Sequence, residues 1–441
     1  MFESFGYREL TVEKQEPKKL KCSIGLWSAV AINVGAIIGG GIFVVTGIVA
    51  GYAGSALIIS MIIAGIIATI TATSFAKLAA WQPIEGGVYE YGRQLVSPFS
   101  GFLAGWMWLV ANTFTGAAVS LGFAYYLTAA FPGLPSNLVA ATLCLGFTAL
   151  NLVGAKESTG VNNILVSIKV AVLAFFVVFG SLNFNSANFI PFQPLTSGVL
   201  YGSFFIFFAY GGFARVTVVA EEVKDAKRNV PKALLLSLGI SIIIYVLVGI
   251  IAVGLLKPAG LAASDSPLTA AMSVTGNSLA LNIISIGGLV ATASVLLTAI
   301  LGVSRMAYSM ARRNDLPSAL ARLHNKFLTP YYAILGTGVL MTLLVLFIPN
   351  LTSIVAISTF ALLFNYSITN IAAFKLKEKN ERHRVLPMFG LATCILLLAF
   401  LLLASTEAWI IGVAFLVLGT VYYAAWKKRR RAYEKNALML R

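Results

Sequence analysis

The residues best placed for chemistry are adjacent glycines in the middle of two long apolar stretches. They are Gly39, Gly40 and Gly41 in the first stretch, and Gly211 and Gly212 in a later one. Glycine destabilises a helix, and inside a membrane an unwound backbone is tolerated only where it lines a cavity or is buried in protein. The sequence therefore predicts two membrane helices that are each broken near the middle.

Such breaks expose backbone groups that can bind a charged ligand. A half-helix that starts at a break presents free N–H groups and the positive end of its dipole, which suit a carboxylate. A half-helix that ends at a break leaves carbonyl groups free, which suit an ammonium group. An α-amino acid carries both groups on adjacent carbon atoms, and glycines let the backbone approach it without a Cβ atom in between.

Close helix packing is a second interpretation of the glycines. Gly35 and Gly39 have the spacing of a G-x-x-x-G pair, as do Gly47 and Gly51, and this spacing is typical of helices that pack closely in membranes. Packing accounts well for single glycines. It accounts less well for three in succession, and it does not account for the corresponding position of the second pair.

Lys169 is the other candidate, because it lies inside an apolar stretch at about 160–182. It is about nine residues into the stretch, or about 13 Å, which is near the middle of a hydrocarbon core of about 30 Å. A charge there costs about 2.5–3.5 kcal/mol. An ammonium group at this depth can load and release a proton. The alternative is a lysine whose long side chain reaches the membrane interface.

The composition indicates the elements that position these residues. Of 441 residues, 59% are hydrophobic and 11% are charged, whereas a soluble domain has about 25% charged residues. A soluble globular protein is therefore excluded. The apolar stretches are continuous, unlike the strands of a membrane barrel, and have the length of membrane helices. The predicted fold is an all-α polytopic membrane protein with twelve transmembrane helices, at about 24–50, 55–80, 98–130, 136–153, 160–182, 198–222, 231–256, 277–311, 330–348, 351–373, 386–404 and 408–426.

Basic residues determine the predicted orientation. The net charge is +16. With the N-terminus inside, 28 of the 32 Lys and Arg residues fall in inner tails, inner loops or the adjoining helix ends, and Lys257 alone falls outside. The positive-inside rule produces this bias, so nucleic-acid binding is not needed to explain the charge. We therefore predict a multi-pass protein of the cell membrane with cytoplasmic N and C termini.

The distribution of reactive side chains argues against an enzyme. All sixteen Asp and Glu residues fall in tails, loops or helix ends, and His324 and His383 fall in predicted inner loops. Cys22, Cys144 and Cys394 have neither metal-binding nor redox spacing. No paired carboxylates and no nucleophile with a base are predicted at membrane depth. We expect no catalytic residue, no metal site and no cofactor.

Ordered motifs give the sequence a family resemblance. They read G-A-I-I-G-G-G-I-F (35–43), P-I-E-G-G-V-Y-E-Y (83–91) with G-F-L-A-G-W (101–106), F-F-A-Y-G-G-F-A-R-V-T-V-V-A-E-E-V-K-D-A-K-R-N-V-P-K-A (207–233) and S-R-M-A-Y-S-M-A-R-R-N-D-L-P (304–317). Together they resemble the amino acid–polyamine–organocation (APC) superfamily, and specifically a prokaryotic amino acid permease. Two positions depart from the family pattern: Gly40 stands where Ser or Thr is usual, and Ala226 where Pro is usual.

The resemblance implies a five-plus-five inverted-repeat fold (LeuT-like) with broken helices 1 and 6, and secondary transport of amino acids by alternating access. The first repeat would cover 23–182 and the second 198–373, followed by helices 11 and 12 at 386–426. A cytosolic tail would occupy 1–22 and a basic tail 427–441. Corresponding interruptions in two halves of a chain independently point to such a transporter.

Carried over by position, the resemblance implies a substrate site at the two breaks. The amides of Gly40 and Gly41 would bind the carboxylate. The carbonyls of Ile37, Phe208 and Gly211 would bind the α-amino group, and Phe208 would also cover the substrate as an aromatic gate. The missing hydroxyl at Gly40 would lower affinity and leave the backbone amides in place. The expected substrate-binding set is Ile37, Gly39, Gly40, Gly41, Phe208, Gly211 and Gly212.

The resemblance also implies a role for Lys169 in proton coupling. Sodium-coupled relatives hold a cation between the first half of helix 1 and helix 8, and in proton-coupled members a helix-5 lysine puts its ammonium group there. Lys169 matches that lysine, and Thr292 or Ser294 would be the nearest oxygens of helix 8. Arg215 and Arg305 are expected to snorkel or to pair at the inner gate, with a substrate role as the alternative.

The leading prediction is therefore a proton-coupled amino acid symporter. An exchanger without ion coupling and a sodium symporter are the alternatives within transport, although Lys169 would compete with sodium for one place. A sensor would normally add a long cytosolic domain, and a channel would need a ring of charge or a carbonyl filter. Since no acid lies at mid-membrane, neutral amino acids are preferred over cationic ones. The expected partners are this substrate, protons and the lipid bilayer, and no nucleic acid.

Overall fold

The computed structural model describes residues 24–84, 86–153, 159–327, 329–348, 350–376 and 384–439. The predicted tail at 1–22, with Cys22, and the loop residue His383 lie outside these ranges. The described backbone is helical between its turns and loops, with one isolated bridge that joins Ile24 to Val223.

Helices follow one another along the whole described chain. Those of the first half are α1 (Leu26–Ile37), α2 (Thr46–Ala53), α3 (Leu57–Trp81), α4 (Val88–Tyr91), α5 (Pro98–Ala130), α6 (Ser136–Val153), α7 (Thr159–Ser181), α8 (Ser197–Tyr210) and α9 (Arg215–Val218). Those of the second half are α10 (Ala226–Leu255), α11 (Pro258–Ala262), α12 (Pro267–Ser273), α13 (Ser278–Arg312), α14 (Tyr331–Phe347), α15 (Leu351–Lys375), α16 (Val385–Ala404) and α17 (Thr406–Met439).

The apolar helices make this an all-α polytopic membrane protein. Ten helical runs in the described chain are long and apolar enough to cross a bilayer. The first run, Leu26–Trp81, has 56 residues, far more than the roughly 20 that one crossing needs. The chain turns inside this run at Gly54, where φ is +57°. The predicted count of twelve and the inverted repeat stay predictions, because they depend on how this run and the 17-residue α14 are assigned.

Short interruptions occur in α1 and α8 at the glycines. α1 ends at Ile37, Ile38 is extended with ψ of 99°, and the chain becomes helical again as a π-helix at Gly41–Val45 that leads into α2. α8 ends at Tyr210, and a 3-10 turn at Gly211–Ala214 separates it from α9. Both helices are therefore irregular where the sequence places adjacent glycines.

The two interruptions pack directly against each other. A Cβ atom on Gly41 would lie 2.5 Å from the Cα atom of Ala209. A Cβ atom on Gly212 would overlap the backbone of Ala36 and lie 2.6 Å from the amide nitrogen of Ile37. These two glycines thus permit the backbones of the broken helices to meet, which is the packing role that the sequence left open.

The surrounding helices enclose the two broken helices. α1 packs against α10 and α7, and α8 packs against α3 and α15. α5 packs along α13 and α15. α16 and α17 lie at the periphery against α15, and α17 continues beyond Trp426 through basic residues to Met439.

Two of the sequence motifs meet at one end of the bundle. The Tyr89 hydroxyl of α4 and the Arg93 guanidinium each donate a hydrogen bond of 2.7 Å to Asp315 Oδ2, just beyond α13. Arg313 Nε donates to Glu90 Oε1 at 2.9 Å. Burial, and then the hydrogen bond to Asp315, raise the pKa of Tyr89. These bonds fasten the connection after α3 to the end of α13.

The contact between the broken helices predicts different outcomes for two Gly→Ala variants. Gly212→Ala should destabilise the protein by about 1–3 kcal/mol, because the added methyl group overlaps backbone that cannot rotate away. Gly239→Ala is the matched control: its Cβ atom would meet nothing within 4 Å in α10. It should stabilise the protein by about 0.5–1 kcal/mol, because alanine favours a helix interior. The measurement is the thermal unfolding midpoint in detergent, and equal shifts for both variants would contradict the contact.

Candidate functional site

A single cavity lies between the two interruptions. Its volume is about 30 Å³, which is the volume of about one water molecule in the liquid. Asn112, Thr115 and Val119 of α5 form another wall. All seven residues expected to bind substrate line this cavity: Ile37, Gly39, Gly40, Gly41, Phe208, Gly211 and Gly212. An amino acid is several times larger, so it can fit only when the walls move apart.

A larger cavity begins one helical turn beyond the glycines. Its volume is about 480 Å³, and Val44, Gly47 and Gly51 of the first broken helix line one side of it. Asp265 and Asn350, from the loops before α12 and α15, line it as well. This cavity lies at the end of the bundle opposite the Tyr89–Asp315 contacts, because α13 runs from one end to the other.

The Lys169 side chain holds the first interruption. Lys169 lies about 15 Å along α7 at about 1.5 Å per residue, and it is 1% exposed. Its Nζ atom donates to the carbonyl oxygens of Gly35 at 2.9 Å and Ile38 at 3.0 Å. These carbonyls belong to the last turn of α1, where the helix dipole is negative and a cation is favourable. The ammonium group therefore caps the first half-helix from inside the bundle.

The expected oxygens of α13 are used within their own helix. The Thr292 hydroxyl donates to the carbonyl of Gly288 at 2.7 Å, and the Ser294 hydroxyl donates to that of Ala291 at 3.0 Å. The two hydrogen bonds of Lys169 go to α1 instead. The lysine is buried as the sequence predicts, and the structure gives it carbonyl partners in place of the Ser294 hydroxyl.

Tyrosine hydroxyls satisfy other carbonyl groups at the breaks. Tyr245 Oη lies 2.7 Å from the oxygen of Ile37 and 3.2 Å from that of Ala209, so one hydroxyl touches both broken helices. Tyr366 Oη donates to the carbonyl of Gly211 at 2.6 Å. Sequence analysis missed both residues, although a tyrosine hydroxyl inside an apolar helix needs a partner.

The second half-helices are also held by polar side chains. The Tyr126 hydroxyl donates to the Phe43 carbonyl at 2.6 Å, within the π-helix that follows the first break. Asn33 Oδ1 accepts a hydrogen bond of 2.9 Å from the amide of Val216, just after the second break. Each broken helix is therefore tied to its surroundings on both sides of its interruption.

The carbonyls expected to bind an α-amino group already accept hydrogen bonds within the protein. Those of Ile37 and Gly211 accept from tyrosines, and that of Phe208 accepts from the amide of Gly211. Gly211 also begins a 3-10 turn, in which a carbonyl accepts from the amide three residues later. A ligand ammonium group would therefore share or replace these donors.

The two arginines that the sequence places near the inner gate differ in their partners. Arg305 Nη1 lies 3.7 Å from Glu222 Oε1, which fits the expected pairing near the end of α13. Arg215 lines the small cavity and donates from Nη2 to Asn112 Oδ1 at 3.1 Å. Among the described residues, no group of three or more His, Cys, Asp or Glu could hold a metal ion.

Comparison with known proteins identifies the family. The family model described as amino acid permease matches residues 24–425. An uncharacterized transporter of Mycobacterium tuberculosis is 35% identical over 92% of both chains. In Bacillus subtilis, a branched-chain amino acid permease is 30% identical over 97% of this chain and 98% of its own. The methylthioribose transporter of that organism is 29% identical over 96% and 97%. The chain therefore belongs to the amino acid permease family of the APC superfamily, a family of multi-pass membrane transporters and not of enzymes.

Proposed function

We propose that this protein is a proton-coupled symporter that moves amino acids across the cell membrane by alternating access. The observation that supports it best is the buried Lys169 ammonium group bonded to the carbonyls of Gly35 and Ile38 at the first helix break. A titratable cation thereby acts on the same backbone that lines the candidate substrate cavity.

In this proposal the backbone binds the groups that all amino acids share. The carboxylate occupies the amides of Gly40 and Gly41 at the start of the second half-helix, where the dipole is positive. The ammonium group binds the carbonyls of Ile37, Phe208 and Gly211. The substrate then joins both broken helices, in addition to the bridge that Tyr245 makes between them.

Lys169 couples protons through its hold on α1. A protonated lysine donates charge-assisted hydrogen bonds, which are about twice as strong as neutral ones. Loss of the proton removes this strength and also the cation at the negative end of α1. α1 is then freer to move relative to α7, and the movement opens the cavity to one side. The proposal keeps Ser294 of α13 as a residue of proton coupling.

The proposal includes the class of substrate and the orientation. A cationic side chain would need a carboxylate at membrane depth, and the sequence puts its acids in tails, loops and helix ends. Neutral amino acids are therefore preferred over cationic ones. The branched-chain and methylthioribose transporters have nearly equal identity to this chain, so identity does not select a side chain. The basic loops support a cytoplasmic position for both termini.

The head-group proposal is tested with analogues of one amino acid. Leucine, leucinamide and 3-methylbutylamine share a side chain, and only leucine has a carboxylate. In proteoliposomes, leucine should compete with a labelled neutral amino acid about tenfold or more better than either analogue, because hydrogen bonds to a charged group are lost. Equal competition by leucinamide would mean that the glycine amides do not bind a carboxylate.

Lys169 variants test the coupling proposal. Lys169→Ala should abolish accumulation driven by acid outside pH, because the proton-carrying group is gone, while equilibrium binding persists. Lys169→Arg should also fail, because an arginine does not release its proton in proteins. Two quantities are measured for each variant: uptake against a concentration gradient and equilibrium binding of the substrate. Full proton-driven uptake by Lys169→Arg would defeat the coupling role, and uptake of wild type without a pH effect would favour the exchanger.

The proposed orientation is tested with two exposed loop positions in a Cys22→Ser background, since Cys144 and Cys394 are buried. Ala263→Cys lies in the loop before α12 and Asn325→Cys in the loop after α13, and both native residues are exposed. In intact cells an impermeant thiol reagent should label position 263 and spare position 325. Permeabilised cells, labelled at both, are the control. The opposite labelling pattern would reverse the orientation and the charge argument behind it.

A further inference from the structure

Arg215 is a charged residue in the wall of the candidate substrate cavity. It is the first residue of α9, directly after the 3-10 turn Gly211–Ala214 of the second broken helix. The interruption therefore places this side chain on the cavity that the glycines line. Neither the binding of the amino acid head group nor the coupling by Lys169 uses its guanidinium group.

The partners of Arg215 are neutral and leave part of its guanidinium unsatisfied. Nη2 donates to Asn112 Oδ1 at 3.1 Å, and the guanidinium carbon lies 5.7 Å from the ring centre of Trp108. Nη1 is buried and has no hydrogen-bond partner among the described residues. A guanidinium has five N–H donors and keeps its charge in proteins, so this face of Arg215 needs an acceptor.

Three carboxylates of the described chain pair with other arginines. Ion pairs join Glu222 to Arg305, Asp315 to Arg93 and Glu90 to Arg313. Over the described ranges, none of the ion pairs includes Arg215. An arginine inside a membrane protein that lacks an anionic partner typically marks a substrate pathway.

α13 leaves room for the guanidinium inside the bundle. A Cβ atom on Gly302 would overlap Arg215 Nη1 and lie 3.1 Å from the Trp108 ring. The absence of a side chain at Gly302 thus creates the space that Nη1 occupies between α5 and α13. This placement differs from a snorkelling arginine, whose charged end reaches interfacial water.

We propose that Arg215 binds an oxygen atom at the far end of the transported molecule, in a carboxylate, carboxamide or hydroxyl group. The inference rests on the proposed function, in which the breaks bind the amino and carboxylate groups, and it adds the chemistry of the side chain. Asn112 is a positioning residue, because its bond to Nη2 holds the guanidinium group at the cavity wall while Nη1 lacks an acceptor. A lysine or arginine substrate would bring a like charge to Arg215 and is disfavoured.

The test compares side chains of similar size with and without an oxygen. Leucine, glutamine and glutamate compete for uptake of one labelled amino acid in proteoliposomes of wild type, Arg215→Met and Arg215→Lys. The readout is the affinity of glutamine or glutamate relative to leucine. Wild type should prefer an oxygen-bearing side chain. Arg215→Met should lower this ratio about ten- to hundredfold, the value of a hydrogen bond to a charged group, and Arg215→Lys should keep part of the preference for glutamate.

Arg305→Met is the matched control, because it removes an arginine that pairs with Glu222 outside the cavity. It should leave the ratio unchanged. A wild-type preference for glutamate alone would identify a carboxylate as the ligand of Arg215. A preference for both glutamate and glutamine over leucine would show that a neutral oxygen is sufficient. Either result supports the inference.

Two results would overturn the inference and leave the proposed function intact. The first is a wild-type protein that binds leucine best, a result that does not depend on the folding of any variant. The second is an equal loss of affinity for all three amino acids in Arg215→Met. A wild-type protein that takes up no amino acid at all would instead defeat the proposed function, and the inference would fall with it.

Discussion

Backbone groups released at a helix break inside a membrane have no water to bind, so protein side chains must take the place of water. Here Lys169, Tyr245 and Tyr366 donate to carbonyls at the ends of the first half-helices. Tyr126 and Asn33 bind backbone groups beyond the breaks. These side chains come from different helices, so the positions of α5, α7, α10 and α15 all follow from the need to satisfy the breaks.

The donors that satisfy the carbonyls are not equivalent. The hydroxyls of Tyr245 and Tyr366 are neutral, and they fasten the breaks whichever side of the membrane is acidic. Lys169 carries a charge that leaves with its proton, and its two bonds hold the end of α1. The cavity therefore has permanent supports and one support whose strength depends on protonation. This difference supports placing the coupling at α1 and not at the second broken helix.

Sequence reasoning succeeded where one residue type has a strong local effect. Adjacent glycines marked both interruptions, and the seven residues expected at the site line one cavity. The depth of Lys169 followed from helix geometry. The tyrosine partners could not be found this way, because a hydroxyl gives no sign of which distant carbonyl it will meet. The pairing of Glu90 with Arg313 and the use of the Ser294 hydroxyl within α13 depend on how helices rotate about their axes, which the apolar pattern does not specify.

The glycines serve packing and binding at the same time, and this sets a condition for transport. Gly41 meets Ala209 and Gly212 meets Ala36 without intervening side chains, which is why the cavity holds only about 30 Å³. A substrate must separate these backbones, and it must also stretch the Tyr245 bridge between Ile37 and Ala209. Contacts with the substrate have to replace the contacts that are lost. Head-group contacts at both breaks are the same for all amino acids. A contact with Arg215 depends on the substrate side chain. This contact can therefore lower the free-energy cost of separating the backbones for one amino acid more than for another.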